Sequence, residues 1–233
     1  MNHLLGTPTR MVVTAVAVLL LVAGGTLAFL ALSSIEHLAS GSAKKTILVE
    51  CDFDKFRQIM VRKNATAAIV GQSGMTLIDE RVEDLHVDTS QDERPLLNAI
   101  RGRSKADVQA VKKLRVSLND PHIVADELTL RQRANVHPDA MNVVTESIAA
   151  AANLESYRTT LDARRQGTQT EVTLSVSLDV RVTVPKAFTG RADREVQQSA
   201  VDAVSEQATG LQRFVAEHAA ERFILPELGR GSD

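Results

Sequence analysis

Apolar and polar residues alternate without a break from Glu171 to Val184. Val172, Leu174, Val176, Leu178, Val180, Val182 and Val184 are separated by Thr173, Ser175, Ser177, Asp179, Arg181 and Thr183. A period of two gathers these aliphatic side chains on one side only if the backbone is pleated, so the stretch predicts a long β-strand with one covered face. Slipping its pairing by one residue would turn all of them into water at about 1.5–3 kcal/mol each, which fixes the register. The cover must be long and apolar too. From Asp193 to about Arg222 the period changes to three and four: Val196, Ala200, Val204, Leu211 and Val215, with Phe214 beside them, form one stripe. Arg194, Glu195, Asp202, Glu206, Arg213 and Glu217 lie off it, as in an amphipathic helix. At about 1.5 Å per residue the helix is about 45 Å long, close to the roughly 40 Å of the strand. The two are predicted to pack face to face.

The rest of the chain yields shorter signals. Thr46 to Asp52 alternates as a first strand, and Asp52 or Asp54 can cap a helix carrying Phe53, Phe56, Ile59 and Met60 inward, with Arg57, Arg62 and Lys63 toward water. Asn64 to Val70 predicts a second short helix, stopped near Gly71 and Gly74. Met75–Ile78 and Leu85–Val87 read as two strands joined by the charged Asp79–Asp84. From Ser90 the pattern is irregular, with a short helix near Pro95–Ile100 and a basic loop at Arg101–Lys105. Strand signals follow at Leu114–Leu118, around Leu128 and Leu130, and at Tyr157–Ala163, separated by turns at Asn119-Asp120-Pro121 and His137-Pro138-Asp139. Met141–Ala152 fits either period and is read as a strand. Gln166-Gly167 is the hairpin turn into the long strand.

A first strand, one or two helices, an antiparallel meander and a long C-terminal helix laid across it resemble the helix-grip fold of the START-like superfamily, which includes polyketide cyclases and lipid-transfer proteins. The resemblance is carried by Tyr157–Leu161, the Gly167-Thr168 turn, Glu171-Val172-Thr173-Leu174, Pro185 and the helix from Asp193 to Phe223, and covers Lys44 to about Leu225. Thr89–Lys112 stands out as an insertion, and Trp is absent. The fold class expected is α+β, an antiparallel sheet gripping the C-terminal helix. The resemblance implies an apolar cavity between sheet and helix, lined by Leu128, Leu130, Gln132, Tyr157, Thr159, Leu174, Val176, Leu178, Val204, Leu211 and Phe214. The same side chains would equally fill a solid core. Gln132 is the informative member, because an amide on an apolar register needs hydrogen-bond partners.

Three functions remain open: an apolar-ligand binder, a partner-binding domain with a filled core, and a cyclase or dehydratase. The last would require Asp126, Gln132, Tyr157 and His218 to converge, yet Asp126 reads as a wet strand edge and His218 as a packed helix residue. No catalytic motif, metal-ligand spacing or cofactor motif is present, so neither metal nor cofactor is expected. Arg101, Arg103, Lys105, Lys112, Lys113 and Arg115 read as a solvated face, with anionic lipid headgroups the alternative. Asn64-Ala65-Thr66 fits a glycosylation acceptor, a tripeptide common by chance.

Composition narrows the partners. Lys and Arg number 27 against 29 Asp and Glu, and aromatic residues make up 3%, so neither the charge nor the stacking surface for nucleic acid is present. The single cysteine, Cys51, cannot form an internal disulfide. Met11–Leu32 carries no charge and is long enough for a bilayer. A cleaved signal peptide is the alternative, since Ala39–Ala43 supplies small residues, but its apolar region would be shorter. The expected organisation is a tail at 1–10, a single transmembrane anchor at 11–32, a linker at 33–43, the domain at 44–225 and a flexible tail at 226–233. The partners expected are the membrane, through this anchor, and a lipid or other apolar ligand. The domain is expected outside the cytoplasm.

Overall fold

The computed structural model describes residues 33–62, 65–72, 75–90, 93, 106–118 and 126–221. The anchor at 11–32, the helix near Pro95–Ile100, the loop at Arg101–Lys105, the Asn119-Asp120-Pro121 turn and the tail at 226–233 lie outside them. Among the described residues, no helix is long and apolar enough to cross a membrane.

Among the described residues seven strands form one antiparallel sheet: β1 (Ser34–Val49), β2 (Met75–Asp88), β3 (Asp107–Leu118), β4 (Glu127–Val136), β5 (Ala140–Ser147), β6 (Leu154–Gln166) and β7 (Gln169–Pro185). The spatial order is β1-β7-β6-β5-β4-β3-β2, a meander closed at one edge by the first strand. Helices α1 (Phe53–Arg62) and α2 (Ala65–Gln72) join β1 to β2, and α3 (Thr189–Ala219) follows β7 after a single 3-10 turn at Lys186–Phe188. The expected grip of sheet on C-terminal helix is present.

β7 is the long strand that its alternation predicts. Val172, Leu174, Val176, Leu178 and Val180 are buried, Val182 and Val184 partly so. The opposite face is wet and bridged by polar pairs, such as Thr160 with Ser175 at 2.6 Å and Thr46 with Thr173 at 2.9 Å. Gly167 supplies the left-handed residue of the β6–β7 hairpin, with φ of 62°. From α3 come Val196, Ala200, Val204, Ala208, Leu211 and Val215, all buried. α3 packs chiefly on β1 and β7.

Several sequence expectations are corrected. The linker at 33–43 is strand: β1 begins at Ser34 and pairs with β7 from Ser34↔Pro185 to Val49↔Thr170. Its small residues are there for packing. Ala39 is buried, and a Cβ on Gly41 would lie 2.4 Å from the carbonyl oxygen of Val196 in α3. Helix and strand backbones meet there, so the position needs glycine.

The two strands expected around Asp79–Asp84 are one strand, β2, whose register against β3 shifts between Leu77 and Asp79 and between Val82 and Asp84. Bulges absorb the break in alternation that looked like a loop. The last six residues of the insertion-like Thr89–Lys112, from Asp107 on, are likewise the start of β3. Met141 does lie in a strand, β5, while Ala152 turns the chain with φ of 50°.

Arg57, expected in water, is 7% exposed. Its guanidinium donates to the carbonyl of His137 at 3.4 Å and lies 3.9 Å from Asp54. Arg165 holds Asp54 from β6 at 3.0 Å and lies over the Phe53 ring at 5.8 Å. These contacts fasten α1 to one end of the sheet, where Asp52 caps it by accepting from the Lys55 amide at 3.0 Å.

Candidate functional site

β1 and β2 occupy opposite edges of the sheet, so the α1–α2 connection has to cross the concave face. α3 covers the β1–β7 side of that face. Between α1–α2 and the β2–β5 side lies a cavity of about 280 Å³, lined by Met60, Val61, Ala65, Thr66, Ile69, Val82, Leu85, Val108, Ala110, Lys112, Gln132, Ala134, Val136, Met141 and Val143. That is near the lower end of small-molecule sites, which run about 300–1,000 Å³.

Sheet register explains why the space is there. Ala110 is directly opposite Ala134, and Ala134 is opposite Val143, so three neighbouring strands contribute little volume at one level. Toward the other end of the same strands, Leu114 faces Leu130 and Val116 faces Leu128, and all four are buried. A transverse polar row divides the two regions: Lys112 opposite Gln132, Gln132 opposite Thr145, Thr145 opposite Thr159.

The polar row is internally satisfied. Thr66 Oγ1 of α2 donates to Gln132 Oε1 at 3.1 Å, and Gln132 Nε2 donates to Thr145 Oγ1 at 3.2 Å. Gln132 therefore ties helix to sheet at the cavity wall, and its buried amide costs little. Lys112 Nζ donates to Glu80 Oε1 of the edge strand at 2.5 Å, with both side chains partly exposed. The mouth lies beside them, because Val61, Val82 and Leu85 line the cavity and are 62%, 55% and 60% exposed.

Of the residues expected to line a pocket, Gln132 alone is among those around this cavity. Leu128, Leu130, Leu174, Val176, Leu178, Val204 and Leu211 are buried in the core cluster, with Tyr157 and Phe214 packed against it. Thr159 is half-buried at the end of the polar row. α3 meets β1 at backbone distance beside Gly41, and a second space of about 250 Å³ opens farther along the same pair, between Leu48, Val49 and Glu50 and the α3 residues Gln212, Val215, Ala216 and Ala219.

The residues weighed for catalysis are not gathered around it. Asp126 is exposed ahead of β4, where its carbonyl accepts from the Leu118 amide at 3.1 Å. His218 Nδ1 is 3.0 Å from the Phe214 carbonyl one turn back, and its ring lies 4.8 Å from that of Phe214. The Tyr157 backbone N–H donates to the Ser147 hydroxyl oxygen at 3.1 Å. Cys51 is buried, and that burial, with Asp52 adding to it, pushes its thiol up to about 11, so it is protonated at neutral pH. Thr66 of the Asn64-Ala65-Thr66 tripeptide is buried against Gln132.

Lys112, Thr66, Thr145, Ala110 and Ala134 are site residues that sequence reasoning missed. One signal was available. Lys112 shares its parity with Val108, Ala110, Leu114 and Val116, so a charge stands on the inward face, whereas Lys113 and Arg115 are exposed on the other. The basic run is split by the pleat.

No protein-family model matches the chain, and no curated protein does. Among solved structures it is similar to the Zhui aromatase/cyclase of Streptomyces sp. R1128, at 13% identity over 81% of this chain and 100% of that one, with a TM-score of 0.43. It is similar to a START superfamily protein from Mycobacterium smegmatis at 13% identity over 76% and 97%, TM-score 0.42. Norcoclaurine synthase from Thalictrum flavum, in complex with dopamine and hydroxybenzaldehyde, matches at 10% identity over 81% and 91%, TM-score 0.38. Similarities this low say nothing of ligand or reaction. By the order of its elements, the register of its sheet and the grip on α3, the chain has a helix-grip fold.

Proposed function

We propose that this domain binds a small aliphatic molecule in the cavity beneath α1–α2, without chemical turnover, and does so outside the cytoplasm, tethered to a membrane by Met11–Leu32. The observation that carries the binding reading is the cavity itself: an aliphatic wall made by the Ala110–Ala134 level of the sheet, with polar groups confined to one row. Two methionines, Met60 and Met141, give that wall an adaptable surface. The tether and the location are supported by the uncharged apolar run and its length. A binding role without turnover is supported by the separation of Asp126, Tyr157 and His218 from the lining.

Burial of an alkyl chain there would contribute about 0.8 kcal/mol per methylene, enough to retain an aliphatic ligand through purification. The test is native mass spectrometry and solvent extraction of the purified full chain. An aliphatic compound recovered at one per protein is expected. A chain that is repeatedly empty, and that takes up no alkyl compound when offered one, overturns the reading and leaves the partner-binding domain in its place.

A further inference from the structure

We infer that the Glu80–Lys112 pair at the cavity mouth selects ligands with an uncharged polar head, a fatty alcohol or a monoacylglycerol, over fatty-acid carboxylates. The inference rests on the aliphatic-ligand reading above and adds the class of head-group.

Lys112 is the one charged side chain among the described residues of the lining, and it stands on the inward face beside Gln132. Alone it would draw a carboxylate to the end of the polar row. It is not alone: Glu80 of β2 already accepts from its ammonium at 2.5 Å, and both side chains are only partly exposed, at 28% for Lys112 and 21% for Glu80. An entering carboxylate must either share one ammonium with Glu80, placing like charges side by side where water screens them poorly, or displace it. A hydroxyl avoids that conflict, since it can accept from Lys112 and donate to Glu80 in the same position. The pair therefore presents a donor and an acceptor with no net charge. The remaining described lining is aliphatic apart from Thr66 and Gln132, whose polar atoms are engaged with each other and with Thr145. Among the described residues of the lining, no second cation stands to compensate a ligand carboxylate. At about 280 Å³ the cavity suits one alkyl chain, not a two-chain phospholipid.

The test is photolabelling of the full chain in nanodiscs with diazirine-bearing decanol or decanoate. Adducts are mapped by mass spectrometry to 75–88 and 107–118 and corrected for label in the disc lipids. Decanol is expected to label these segments at least ten-fold more than decanoate. Glu80→Gln should lower the ratio of decanol to decanoate labelling at least ten-fold, by raising decanoate labelling. Equal labelling of the wild type by both probes overturns the inference while leaving the cavity reading intact. An unchanged ratio in Glu80→Gln, with the variant's circular dichroism unaltered, overturns it as well. Absence of either adduct from both segments overturns both readings.

Discussion

Asp179 shows how single residues on the wet face are tuned. Hydroxyls from Ser156 and Ser40 each donate to its carboxylate at 2.6 Å and hold it below the usual carboxylate range. A carboxyl whose folded pKa is depressed contributes stability above its unfolded value, about 3.9, and loses it as pH falls through the folded value. Denaturant titrations at pH 7 and pH 3 should therefore show a smaller loss on acidification in Asp179→Asn than in the wild type. The difference is at most about 1 kcal/mol, because the face is solvated. An equal loss in both proteins would contradict the assignment. Legibility at this scale was uneven. Gln132 was visible as an amide on an apolar register, and its partners Thr66 and Thr145 satisfy it as such a residue requires. Lys112 carried the same kind of signal but was hidden inside a basic run whose members the pleat sends to opposite faces. Arg57 was misplaced, since a partner supplied by the backbone of His137, eighty positions away, cannot be read from the helix alone.

At the level of elements, periodicity carried the reading wherever one face was buried along its whole length. β7 and α3 were legible for that reason, down to the side chains that meet between them. Of β1, only Thr46–Val49 was legible. Its inward side farther back carries Ala39, Gly41 and Ala43, and small residues carry no hydrophobic period although they are there to admit a helix. Gly41→Ala tests this. The added methyl would be forced to 2.4 Å from the Val196 carbonyl, so α3 must shift from β1. Thermal and denaturant unfolding should show a loss of about 1–3 kcal/mol, the range for overpacking a tight contact. A neutral substitution would mean that the two backbones are not in contact there. β2 was misread for a different reason: two bulges interrupt its alternation, and bulges leave no composition signal.

For the molecule as a whole, element order alone conveyed the grip of sheet on helix, but not where the grip is loose. Between sheet and α3 the sequence left a cavity and a solid core equally open; the residues in question pack in the core cluster, and an apolar cavity lies under α1–α2. The difference depends on which strands are neighbours, because only their register places Ala110 against Ala134 and Ala134 against Val143. Alternation along one strand tells which side is inward, while the volume available there is a sum over three strands and a helix. The placement of β1 and β2 at opposite edges then forces α1–α2 to roof that space, so topology and small side chains together make the site.

The most direct measurement is to fill the space. Ala134→Leu adds volume at the centre of the cavity wall, and the full-length variant can be compared with the wild type for both thermal stability and bound alkyl compound. The account predicts unchanged or higher stability, since the new side chain enters empty apolar volume, together with loss of ligand recovered by extraction. A fall of about 1–3 kcal/mol in stability, the signature of overpacking a closed core, or full retention of ligand by the filled variant, would contradict it.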